Sequence, residues 1–130
     1  MEANDPHSSR KPQILVVDDD PEVLEAMRIA LDANGYEVTT ARDGSHGLAL
    51  AERDPPDLLI LDMMMPKRSG FLVLETLRQF ERTPTKVIMV TANEGNRHRD
   101  YAQQLGVDEY IRKPFPMDTL LQAVEKVLNQ

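Results

Sequence analysis

"ILVVDDDPEV", residues 14–23, runs four apolar residues into three successive aspartates and a proline. Its first part is short, aliphatic and rich in β-branched residues, the pattern of a buried strand. Asp20 stands where a helix N-cap belongs, and Pro21 suits the first helical position, where an N–H would lack a partner anyway. The stretch therefore reads as strand, turn and helix start in immediate succession. That leaves Asp18 and Asp19 at the end of a buried strand, where close carboxylates resist ionising together.

The same alternation fills the rest of the chain. The strand is "QILVV" (13–17), and its helix carries Val23, Leu24, Met27, Ala30 and Leu31 at helical spacing until Asn34-Gly35. "YEVTT" (36–40) reads as a strand, "GSHGLALAER" (44–53) as a short helix stopped by Pro55-Pro56, and "DLLIL" (57–61) as a strand buried on both faces. Phe71, Leu74, Leu77 and Arg78 mark a helix over 69–80, and "TKVIMV" (85–90) is the next strand. A polar helix over 94–105, the short strand "DEYI" (108–111) and an amphipathic helix over 117–128 complete the pattern. Five strand–helix units in series predict an α/β fold, a doubly wound parallel five-stranded sheet with helices on both faces. The flavodoxin-like order 2-1-3-4-5 fits five units best. Residues 1–12, polar and carrying Pro6 and Pro12, read as a flexible arm before one domain over 13–130.

Composition narrows the function. The absence of cysteine excludes disulfides, zinc–thiolate centres and thiol catalysis. With 15 basic against 22 acidic residues, the chain lacks the basic footprint that a nucleic-acid duplex or an anionic membrane calls for. No apolar run approaches the ~20 residues of a membrane-spanning helix, and a cytoplasmic location is expected.

Ligands of such sheets bind beyond the carboxyl ends of the strands, where the strand order reverses. Asp18 and Asp19 follow the first strand, Asp62 the third, Thr91 the fourth and Lys113 the fifth. Carboxylates from two adjacent strands make a negative pocket that a hard divalent cation relieves, and Mg2+ takes one or two carboxylates with waters and phosphate oxygens. An aspartate can also attack phosphorus and form an aspartyl phosphate. Lys113 and Thr91 would then help to neutralise and position the transferred group.

Four stretches in register, "ILVVDDDP", "LLILDMMMPKRSG", "VIMVTA" and "YIRKPF", give the chain a resemblance to the receiver domain of bacterial two-component response regulators. The resemblance covers about residues 13–129. It implies a phosphoacceptor regulatory domain, an enzyme only toward its own phosphorylation and dephosphorylation. Asp62 would accept the phosphoryl group from a phosphohistidine on a sensor histidine kinase or phosphotransfer protein. Asp18 and Asp19, with Asp62 and the backbone carbonyl of Met64, would hold Mg2+. Lys113 and Thr91 would bind the phosphoryl oxygens, with Thr91 and Tyr110 moving as the switch. The partner surface for a downstream effector would lie on the fourth helix, fifth strand and fifth helix, with Arg97, Arg99, Tyr101 and Gln104 as candidates. A phosphorylation-dependent homodimer is among the outputs this family allows. Met64 and Asn93 depart from the typical pattern at two positions where the family tunes phosphoryl lifetime.

Plainer readings stand beside these. Asp20 reads as a helix cap, Met63 and Met64 as fillers of loop space, and Met65 as packing under the next turn. His7, His46 and His98 have no ligand spacing. A phosphatase of the haloacid dehalogenase type would use Asp18 and Asp20, but Glu22 breaks its pattern and Asp62 is left without a role. A pseudo-receiver that never takes phosphate would not need the complete set of Asp18, Asp19, Asp62, Thr91 and Lys113. A flavin carrier of the same topology would place Ser, Thr and Gly where three aspartates stand.

Overall fold

Aliphatic residues fill both faces of the central strands, and the sheet they build is parallel throughout. The computed structural model describes residues 10–65, 68–92 and 96–130. In chain order the elements are β1 (Gln13–Val17), α1 (Pro21–Ala33), β2 (Glu37–Ala41), α2 (Gly44–Arg53) and β3 (Leu58–Asp62), then α3 (Gly70–Phe80), β4 (Lys86–Thr91), α4 (Asn96–Gln104), β5 (Glu109–Arg112) and α5 (Met117–Leu128). The strand order is β2-β1-β3-β4-β5, as the alternation predicts.

The period-two alternation of strand side chains divides the core in two. Leu15, Val17, Leu59, Leu61, Val87 and Met89 face one way and pack against α2, α3 and Ala102 of α4. Ile14, Val16, Leu58, Ile60, Ile88 and Val90 face the other way, against α1 and α5. Burial on both faces fixes the register, because a one-residue slip would exchange the two sets. It places Val17 beside Leu61, Asp62 beside Val90, and Thr91 beside Arg112.

Strands β2 to β5 each begin and end one residue later than the sequence pattern suggests. Polar residues at the ends of β3, β4 and β5 explain the offset there. Asp57 and Asp108 precede their strands, and each carboxylate takes a backbone N–H of the neighbouring strand, of Gln13 at 2.7 Å and of Val87 at 2.8 Å. At the other end Asp62 and Thr91 remain in the ladder despite their polarity, so the two residues of chemical interest are held by the sheet itself. In the polar helix, Glu94 and Gly95 lie outside the described residues, and Leu105 falls in the turn after Gln104. Residues 1–9 of the arm also lie outside them, while the Pro12 carbonyl already accepts a bond from the Glu37 N–H at 2.9 Å. Gly35 adopts φ 89 just after α1, in the left-handed region where a side chain would be strained.

Candidate functional site

The helix start after β1 sorts the three aspartates. The Asp20 carboxylate accepts the N–H groups of Glu22 and Val23 at 2.9 and 3.4 Å and is the N-cap of α1. Asp18 is fully buried; its Oδ1 accepts the Asp20 N–H at 2.9 Å and its Oδ2 meets the Lys113 ammonium at 2.7 Å. Asp19 is half-buried at the same edge, and Asp18, Asp19 and Asp62 can each offer an oxygen within 4.8 Å of the others. Among the described residues this is the one group of acidic or histidine side chains with metal-ligand proximity. His46 is exposed on α2 and His98 stacks on Phe71, and neither joins this group; His7 lies outside the described residues.

Asp62, the last residue of β3, is 3% exposed. Its Oδ1 accepts the Met64 N–H at 3.2 Å, and its Oδ2 lies 3.7 Å from Lys113 Nζ. Burial and the charge of Asp18 push its pKa up to about 7, against the pull of Lys113 and the Met64 N–H, and a hydrogen bond with Asp19 favours the protonated form further. Burial alone would lower the Lys113 pKa, but its bond to Asp18 and the field of the other carboxylates raise it, so it stays charged. Three carboxylates thus face one ammonium group, an all-oxygen donor set short of positive charge. That is the chemistry of a hard divalent cation site.

Neighbouring elements hold these groups in place. The Lys113 N–H donates to the Thr91 carbonyl at 2.7 Å, which extends the β4–β5 ladder to the lysine, and the peptide bond from Lys113 to Pro114 is cis. Thr91 is fully buried, and the Tyr110 hydroxyl is its hydrogen-bond partner. Burial raises the Tyr110 pKa, opposed by Arg99 and Thr91; its hydroxyl also reaches Met63 Sδ at 4.0 Å. Arg99 lies 5.6 Å from the centre of the Tyr110 ring. Arg97, Arg99 and Gln104 are exposed on α4, whereas Tyr101 is half-buried, with its hydroxyl bonded to Glu75 and its ring edge-on to Phe71.

Two features differ from the plain sequence reading or escape it. Met63 is not a loop filler but part of the buried core, and Met64 packs against little, being 55% exposed; Met65 is buried as expected. Gly70, the first residue of α3, sits so close to Asp62 that a Cβ there would lie 2.3 Å from the Asp62 carbonyl oxygen. Its N–H donates to the Met63 carbonyl at 2.9 Å, so the helix start braces the loop that carries Asp62 and Met64. The only sequence signal for this is the glycine after Ser69, the α3 N-cap, where a helix former would otherwise be favoured.

The family model of the response regulator receiver domain matches residues 14–125. The chain is 40% identical over 120 residues to the DNA-binding dual master transcriptional regulator RpaA of Synechocystis, covering 92% of this chain and 50% of that protein. It is 42% identical over 118 residues to the transcriptional regulatory protein CpxR of Klebsiella pneumoniae, covering 91% of this chain and 50% of that one. The chain thus spans about half the length of these curated relatives. Among solved structures, a CheY-like receiver domain from Methanospirillum hungatei superposes with a TM-score of 0.87 at 32% identity, covering 92% of this chain and 95% of that one. The non-phosphorylated HemR receiver domain of Leptospira biflexa gives 0.86 at 31% identity, covering 92% and 96%. With these matches and the ordered acidic edge of the sheet, the chain belongs to the receiver domain family of two-component response regulators.

Proposed function

We infer that the chain is a phosphoryl-accepting switch in which Asp62 takes the phosphoryl group. The observation that carries this is the near-complete burial of Asp62 beside two further carboxylates and Lys113 at the carboxyl edge of the sheet. Asp18, Asp19, Asp62 and the Met64 carbonyl are the residues that would hold Mg2+, and the ion supplies charge neutralisation for the incoming phosphoryl group. A carboxylate oxygen of Asp62 attacks phosphorus in line; the bond to the donor histidine breaks and its electron pair leaves with the imidazole. Lys113 then turns from the carboxylates to a phosphoryl oxygen, a short movement from its position 3.7 Å from Asp62. Thr91 gives its hydroxyl to another oxygen and so gives up Tyr110, which moves with it. Through Arg99 the change reaches the face built from α4, β5 and α5, where Arg97, Tyr101 and Gln104 are further candidates for partner contact.

The donor is a phosphohistidine on a sensor histidine kinase or phosphotransfer protein, and the output is an effector protein or domain or a phosphorylation-dependent homodimer. The acidic balance of the chain argues against nucleic-acid contact through this domain. Among the described residues no helix is long and apolar enough to cross a membrane; the cytoplasm is the compartment this reading assigns to the switch. Residues 13–130 form the functional unit on this reading, with 1–12 as an arm. Chemistry is confined to the domain's own aspartate, which makes it a regulator rather than a turnover enzyme. Asp20 is spent as a helix cap, so the Asp18–Asp20 pair of a haloacid dehalogenase-type phosphatase is not available.

Beryllofluoride, a phosphoryl mimic, tests this reading. With Mg2+ present it should raise the thermal midpoint beyond Mg2+ alone, and the rise should vanish in Asp62→Asn. A protein whose midpoint ignores beryllofluoride would not be such a switch. Met64 adds a second expectation: its apolar side chain, exposed two residues past the acceptor, would on this reading hinder an attacking water. The phosphorylated Met64→Asn variant should lose its phosphoryl group about three- to tenfold faster, the effect of roughly 1 kcal/mol in barrier. Equal decay rates in the two proteins would remove Met64 from the account.

A further inference from the structure

The methionines of this chain differ sharply in access. Met27, Met63, Met65 and Met89 are buried and Met117 is half-buried, whereas Met64 is 55% exposed. Met1 lies outside the described residues. Met64 is also the one whose backbone N–H is bonded to the Asp62 carboxylate, at 3.2 Å. A thioether exposed in this way reacts readily with peroxides, and the product is polar where the thioether was apolar. The chemistry is a two-electron oxygen transfer. A sulfur lone pair attacks one peroxide oxygen, the O–O bond breaks and the S–O bond forms. Sulfur is oxidised, and hydrogen peroxide is reduced to water.

We propose that Met64 is an oxidation site whose sulfoxide shortens the lifetime of the phosphoryl group at Asp62, so that the switch is reset faster under peroxide. The proposal rests on the phosphoacceptor role of Asp62. The loop geometry gives it direction. The Met64 side chain leaves the same short turn that carries the Asp62 hydrogen bond, and Gly70 braces that turn from below. A sulfoxide oxygen on that turn is a strong hydrogen-bond acceptor that would hold a water beside the acyl phosphate, a partner the apolar thioether does not offer. A methionine sulfoxide reductase supplied with two electrons and two protons by a dithiol, which becomes a disulfide, releases the oxygen as water, returns the thioether and closes the cycle.

Graded hydrogen peroxide treatment of the whole chain, followed by peptide mapping, reads the first half of the proposal. Phosphorylation with acetyl phosphate and Mg2+, followed by intact-mass decay, reads the second. Oxygen should enter Met64 before any of the four buried methionines, and decay should accelerate about three- to tenfold. In Met64→Leu the same dose should leave the decay rate as it was before treatment, and reductase should restore the slow decay in the parent protein. Equal oxidation of buried methionines, unchanged or slower decay, or the same acceleration in Met64→Leu would overturn the proposal. If the untreated protein takes up no phosphoryl group, both this proposal and the switch reading fall. Uptake with a decay indifferent to oxidation overturns the proposal alone.

Discussion

Asp62→Asn is expected to stabilise the metal-free protein at pH 8, by about 2–4 kcal/mol. The carboxylate is 3% exposed, and burial together with the charge of Asp18 raises its pKa to about 7. In the unfolded chain it releases its proton near the usual value of 3.8. Between those two values the folded state binds more protons than the unfolded one, so stability falls as pH rises. The contribution is favourable below the unfolded value and fully lost above the folded one. Asparagine keeps the shape and an oxygen for the Met64 N–H but carries no charge to repel Asp18. Denaturant unfolding in EDTA at a series of pH values should therefore show a gap between variant and parent that is small near pH 4, opens toward pH 7 and is constant above. Adding Mg2+ should narrow the gap by stabilising the parent. Parallel stability profiles for the two proteins across that window would mean that Asp62 carries no such strain.

Lys113→Met is expected to act in the opposite sense, costing about 3–5 kcal/mol in metal-free buffer at pH 8. The lysine bonds the fully buried Asp18 at 2.7 Å and faces Asp62 at 3.7 Å. Methionine fills similar space but leaves buried carboxylates without their cation. The exposed pair of Lys126 and Glu109 offers the contrast, since its lysine is 65% exposed and solvent screens its charge. Lys126→Met should cost less than about 1 kcal/mol. Mg2+ should recover a larger share of the loss in Lys113→Met than in the Lys126 variant, because the emptied site is more negative. A cost for Lys113→Met no greater than that of Lys126→Met would show that the buried charges are compensated elsewhere.

Most of the fold is legible in the sequence because burial on both faces of β1, β3 and β4 leaves long aliphatic runs, and helix caps interrupt them. Asp20 with Pro21, and Asn34 with Gly35, mark the ends of α1. The one-residue offset of four strands is not legible: in β3 and β4 the polar residue after the aliphatic run looks like a strand end, and side-chain bonds from Asp57 and Asp108 decide where β3 and β5 begin. Asp62 and Thr91 are polar and still lie in the ladder. The clustering of Asp18, Asp19, Asp62 and Lys113 follows from topology alone, as strand ends that must meet. Side-chain commitments do not. That Asp18 spends one oxygen on Lys113 and the other on the Asp20 N–H depends on atomic packing. So does the close approach of Gly70 to Asp62, and so does the bond from Tyr101 to Glu75, which draws a residue of a polar-looking helix half into the protein.

On the proposed function, Asp62 accepts a phosphoryl group with the help of a cation held by its acidic neighbours. Intact-mass spectrometry after incubation with acetyl phosphate tests it most directly. The protein should gain the mass of one phosphoryl group with Mg2+ and none in EDTA, and Asp62→Asn should gain none in either. Uptake that persists in Asp62→Asn would remove Asp62 as the acceptor, and no uptake by the parent protein with Mg2+ present would mean that the domain is not a phosphoryl switch.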